Sequence, residues 1–142
     1  MNSSLQCLSN AYELTQYFLK QYYLNDINED NPLGTYGRLA RSYAKLIGDM
    51  WYQDSNIVKP NMFRKILGQQ AQQFSGSGQQ DSHECINTIL DLLSEDLYRK
   101  KQKKPFVELG ESQGQSDDVA SQEAWKKHLM RNDSIIVDLF HG

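Results

Sequence analysis

Apolar residues return every three or four positions along most of the chain, the spacing of helices with one buried face. Leu5 and Leu8 lie one turn apart near the N-terminus, and a polar break follows at Ser9-Asn10. From Tyr12 to Tyr23 the pattern resumes, with Leu14, Tyr17, Phe18 and Tyr22 at helical spacing. Leu39, Tyr43, Ile47 and Met50 form one stripe and predict an amphipathic helix over Tyr36 to Trp51. A short helix is expected from Asn61 to Leu67, with Pro60 suited to its first turn. The strongest helix opens at Asp81-Ser82-His83-Glu84, which has the acceptor-x-x-Glu spacing of a capping box. Its stripe is Ile86, Ile89, Leu90, Leu93 and Leu97, which leaves Asp91, Glu95, Asp96 and Arg99 facing away.

Between these segments the residues are turn formers. The run from Asn25 to Gly34 reads as a loop, as does Gly68 to Gly78, where Phe74 is the lone large apolar residue. Lys100 to Lys104 suits the negative end of the long helix, and Pro105 ends it. Phe106 to Leu109 reads as a short extended piece, and Gly110 to Asp118 as a polar surface loop. Ser121 to Met130 is expected to be helical, with Trp125, His128 and Leu129 on one side. The β-branched, apolar run Ser134 to Gly142 predicts a closing strand. It finds no strong partner strand in this sequence, so the chain is expected to be part of a larger domain.

Composition narrows the classes. A chain of 142 residues fits one domain, with 39% apolar and 23% charged residues. A net charge of −3 gives no general nucleic-acid footprint. No apolar run approaches the roughly 18 residues of a membrane span, and no signal peptide is visible. Cys7 and Cys85 read as reduced, buried thiols of a cytoplasmic or nuclear protein, with a disulfide the lesser alternative. The scattered His83, His128 and His141 recommend no zinc site, and no cofactor is called for.

Three blocks, in order, carry a resemblance. Met1-Asn2-Ser3-Ser4-Leu5-Gln6-Cys7-Leu8 resembles the back half of the nucleophile signature of ubiquitin-specific proteases, the papain-like deubiquitinases. That signature runs roughly Gly-Asn-Thr-Cys-(Phe or Tyr)-Met-Asn-Ser-x-Leu-Gln-Cys-Leu. Gln73-Phe74-Ser75-Gly76 followed by Gln79-Gln80-Asp81-Ser82-His83-Glu84 resembles the family's Gln-Gln-Asp block. The run from Trp125 through His128 and Arg131 to Gly142 is similar to the segment that leads into the family's zinc-ribbon fingers. Asn31-Pro32-Leu33-Gly34 and Ser42-Tyr43-Ala44 resemble it as well, and the nearest subgroup is the multi-domain enzymes with a split catalytic domain.

The resemblance implies a mainly α chain: residues 1–142 as the helical thumb of a papain-like domain, ending in one strand toward fingers and palm. It puts the family's catalytic cysteine two positions before Met1. The neighbouring asparagine, the histidine base and its orienting Asp or Asn also fall outside the 142 residues. The expected parent activity is removal of ubiquitin from protein conjugates through a thiol acyl-enzyme, and the 142 residues alone are expected to be inactive. The implied partners are ubiquitin and ubiquitinated proteins, with no nucleic acid and no membrane. A non-catalytic ubiquitin-binding or regulatory fragment is the alternative, and a helical module unrelated to ubiquitin a third.

By the same resemblance, Asp81 contacts the basic C-terminal tail of ubiquitin, and Gln79 and Gln80 border the channel for it. An Asp at this position is equally well explained as a helix N-cap, and one oxygen could serve each role. Cys7 and Cys85 are expected in the core, as are Trp51 and Trp125. His128 reads as a packed structural histidine. His83 and Glu84 read as solvated first-turn residues, because neighbours in a helix do not face each other.

Overall fold

A hub of buried aromatics joins the first half of the chain: Phe18 meets Tyr43 edge-on at 4.8 Å between ring centroids, and Tyr43 meets Phe63 at 5.8 Å. In the computed structural model, residues 1–52, 57–76, 78–100 and 117–141 are described. They form α1 (Asn2–Ser9), α2 (Tyr12–Leu19), α3 (Tyr23–Asp26), α4 (Arg38–Tyr52), α5 (Asn61–Gln70), a 3-10 turn (Gln72–Phe74), α6 (Ser82–Asp96), α7 (Asp117–Asn132) and α8 (Ile135–Phe140). The chain is mainly α, and no strand occurs among the described residues. No described helix is long and apolar enough to cross a membrane.

The expected stripes bury as their periodicity demands. Leu5 and Leu8 of α1, Leu39, Tyr43 and Ile47 of α4, and Ile89 and Leu93 of α6 all lie in one core. The helix expected over Tyr12 to Tyr23 is two helices. Gln21 takes a left-handed φ of 60°, its N–H donates to the Phe18 carbonyl, and the Tyr22 N–H donates to the Tyr17 carbonyl. That is the Schellman arrangement, with glutamine where glycine is usual, so the sequence carried no stop signal.

The loop before α4 is bolted to the end of α6. Asn28 donates from Nδ2 to the Tyr98 carbonyl at 3.0 Å, and Asn31 donates to the Glu95 carbonyl at 2.9 Å. Asp96, expected to face solvent, is instead wholly buried. Its carboxylate accepts from the Thr35 N–H at 2.5 Å, the Thr35 hydroxyl at 2.6 Å and the Ala40 N–H at 3.1 Å. Thr35 in turn accepts the Leu39 N–H at 2.7 Å. Asp96 and Thr35 therefore satisfy the first donors of α4, which a helix start leaves unpaired, and the buried charge sits at the positive end of that helix. Tyr36 and Gly37 make the turn with φ of 58° and 73°. The left-handed φ of Gly37 favours glycine there, and an added Cβ would also stand 2.7 Å from the Ile27 side chain and push it aside.

The closing strand is corrected to a helix. Ser134 caps α8, its hydroxyl accepting the Val137 N–H, and Ile136 and Val137 bury against α6 and α2. With no partner strand among the described residues, the β-branched run satisfies its backbone internally and packs one face; tertiary contacts override local propensity. Arg99 ties this end together, reaching Asp138 at 2.8 Å, Asp133 at 3.2 Å and Asp26 at 3.6 Å. Three further expectations change. Cys7 is exposed, because α1 buries Ser4, Leu5, Leu8 and Ser9 and turns Cys7 off that stripe. Trp51 is 53% exposed, past the last buried turn of α4, and Trp125 is 40% exposed on α7, where no residue is fully buried. Lys101 to Lys104 and Phe106 to Leu109 lie outside the described residues.

Candidate functional site

The N-termini of α1 and α6 meet: the Ser4 hydroxyl donates to the Ser82 carbonyl at 3.2 Å. Beside that junction runs a groove of about 480 Å³, lined by Met1, Asn2, Arg64, Phe74, Gln79 and Gln80 among others. Phe74 is its buried apolar floor. Gln79 and Gln80 are exposed on its edge and present amide donors and acceptors.

Asp81 follows directly and is exposed. Its Oδ1 accepts the His83 N–H at 2.7 Å and, more weakly, the Glu84 N–H at 3.4 Å. Its Oδ2 accepts no hydrogen bond among the described residues. One carboxylate oxygen thus caps the helix while the other remains open to a cation. The capping box is half made, since Glu84 turns away from Asp81 and accepts from Gln73 Nε2 at 3.4 Å. The positive N-terminus of α6 holds the Asp81 charge in place without neutralising its outer edge.

The structure brings Gln79, Gln80 and Asp81 together, with His83 beside them through its backbone and His128 and His141 on α7 and just after α8. His83 is exposed and lies 3.3 Å from Asn87, as first-turn solvation predicts. His128 is half-buried, stacked on Trp125 at 5.3 Å between centroids and 3.4 Å from a ring nitrogen of His141. Neither cysteine has a histidine partner among the described residues, and both thiols are free. Cys85 is buried, as a core thiol should be. No group of three potential metal ligands occurs among the described residues. The groove edge thus offers amide groups at Gln79 and Gln80 and an open carboxylate oxygen at Asp81. Arg64 escaped the sequence reading, since its place in the groove depends on how α5 packs beneath the Gln-rich loop.

Comparison with known proteins follows the same line. The family described as ubiquitin carboxyl-terminal hydrolase matches residues 1–142. Ubiquitin carboxyl-terminal hydrolase 4 of Bos taurus is 54% identical over 142 residues, which is 100% of this chain and 15% of that protein. Ubiquitin carboxyl-terminal hydrolase 15 of Rattus norvegicus is 51% identical over 142 residues, again 100% of this chain and 15% of the relative. The protein of that name from Xenopus tropicalis is 50% identical, with 100% and 14% covered. The chain spans about 15% of the length of the curated relatives it matches.

Proposed function

Because the chain belongs to the ubiquitin carboxyl-terminal hydrolase family, we propose that its helices are the thumb wall of a thiol-type deubiquitinase and that the groove receives ubiquitin's C-terminal tail. The family match removes the reading of a helical module unrelated to ubiquitin hydrolases. In this proposal Asp81 Oδ2 pairs with a basic side chain of the tail. Gln79 and Gln80 hydrogen-bond its extended backbone, and the α1 N-terminus lends its dipole to the reacting end. Ubiquitin and its conjugates are the partners, and two free thiols accord with a reducing compartment, cytoplasm or nucleus. The supporting observation is the divided Asp81 carboxylate, one oxygen on the helix and one open.

Asp81→Asn tests it. Asparagine caps as well as aspartate, so stability should stay within about 0.5 kcal/mol, while Asp81→Ala loses about 1 kcal/mol with the cap. Losing the charge should weaken ubiquitin binding about five- to tenfold, followed by titrating labelled ubiquitin and reading its C-terminal resonances. Equal affinity in wild type and Asp81→Asn would reject the tail contact.

The 142 residues on their own are proposed to be catalytically silent, because all three histidines are engaged away from both cysteines or solvated. A fluorogenic ubiquitin substrate should show no release above background. Turnover that vanished in Cys7→Ala would overturn this and make Cys7 a nucleophile. Binding without turnover is also what the alternative, a regulatory fragment, requires.

A further inference from the structure

One face of α5 holds the segment that forms the groove's edge. The Arg64 guanidinium donates to the Gly76 carbonyl. One turn on, a Cβ at Gly68 would stand 2.9 Å from Ser75 Cα, so the backbone at Ser75 lies directly against the helix. Positions 64 and 68 share that face by the four-residue rule. Phe74 is buried just before these contacts, and the Ser75 hydroxyl donates to the Gln72 carbonyl at 2.6 Å. Beyond them the surroundings open: a Cβ on Gly76 or Gly78 would meet no atom closer than 3.8 Å. The same Arg64 lines the groove with Gln79 and Gln80.

We propose that Arg64 is a positioning residue for the groove: by tethering the Gly76 carbonyl to α5, it sets where Gln79 and Gln80 stand. The inference rests on the tail-binding reading and adds to it a residue that need not touch the tail. Charge alone argues against an arginine in a channel for a cationic peptide, since like charges repel. A guanidinium occupied by a backbone carbonyl has a different reason to be there. Its planar set of donors holds a fixed direction that a flexible ammonium reproduces only in part.

The two roles predict opposite signs. If the tether dominates, Arg64→Ala moves the amide resonances of Gly76, Gly78, Gln79 and Gln80, leaves the α4 and α6 resonances and the thermal midpoint in place, and weakens ubiquitin binding three- to tenfold. Arg64→Lys, which keeps a donor, recovers part of that loss. Tighter binding by Arg64→Ala would mean that charge governs and would overturn the proposal. So would unmoved loop resonances, or a loss that spreads through the core and is not rescued by lysine. Should the wild-type chain leave ubiquitin's resonances unshifted, the tail reading fails and the positioning role falls with it. Wild-type binding with Arg64→Ala unchanged defeats the positioning role alone.

Discussion

Asp96→Ala is expected to remove about 3–5 kcal/mol of folding stability, the loss that follows when one partner of a buried, hydrogen-bonded charge is deleted. The carboxylate is fully enclosed and accepts from two backbone N–H groups and one hydroxyl. Alanine would strand all three donors away from water: the Thr35 N–H and hydroxyl just before α4, and the Ala40 N–H in its first turn. Asp96→Asn should do little better. Its amide offers one oxygen where the site uses two, and it points an NH₂ at groups that are themselves donors. Gly34 leaves no slack for repair: a Cβ there would lie 2.7 Å from Asp96 Oδ1. Asp91, on the exposed side of the same helix, is the control, and Asp91→Ala should shift stability by less than about 0.5 kcal/mol. Equilibrium denaturation of the three variants would decide the matter. A loss below about 1 kcal/mol for Asp96→Ala would show that water or a rearranged loop replaces the carboxylate.

Asp96 also marks where sequence reading stops. Helices α1, α4, α5 and α6 were legible because burial of one face leaves a 3.6-residue period, and Asp81 was legible as a cap because capping is local. A buried acid on a polar face looks the same in sequence as a solvated one. Its partners Thr35 and Ala40 are about 60 positions away, and the Asn28 and Asn31 bonds to the same helix end are equally remote. The closing segment failed for the opposite reason. Ile135-Ile136-Val137 advertises a strand locally, whereas the Ser134 cap and contacts with α6 and α2 favour the helix. At the groove, Gln79, Gln80 and Asp81 are consecutive in the chain, so their neighbourhood is visible in the sequence, and the role proposed for them there comes from the family resemblance. The place of Arg64 is not visible there, because its role comes from an approach of α5 to the loop.

That approach gives the second large effect. In a helix interior, glycine to alanine ordinarily stabilises by up to about 1 kcal/mol, since alanine restricts the unfolded chain and propagates the helix. Gly48 in α4 should follow the rule, because a Cβ there meets nothing within 4 Å. Gly68 in α5 should break it. The added carbon would stand 2.9 Å from Ser75 Cα and 3.3 Å from Ser75 N, both backbone atoms that no rotamer change can move aside. Relief requires lifting the Ser75 backbone off the helix, which pulls against the buried Phe74 and the Arg64 tether. Overpacking of this kind costs about 1–3 kcal/mol, more than the helical gain returns, so Gly68→Ala is expected to be destabilised while Gly48→Ala is stabilised. Because Gln79 and Gln80 follow the displaced segment, Gly68→Ala should also lose ubiquitin binding, whereas Gly48→Ala keeps it. Thermal midpoints and the ubiquitin titration run on the two variants side by side check both halves. If both alanines stabilise, the loop does not lie against α5 and the groove has another shape.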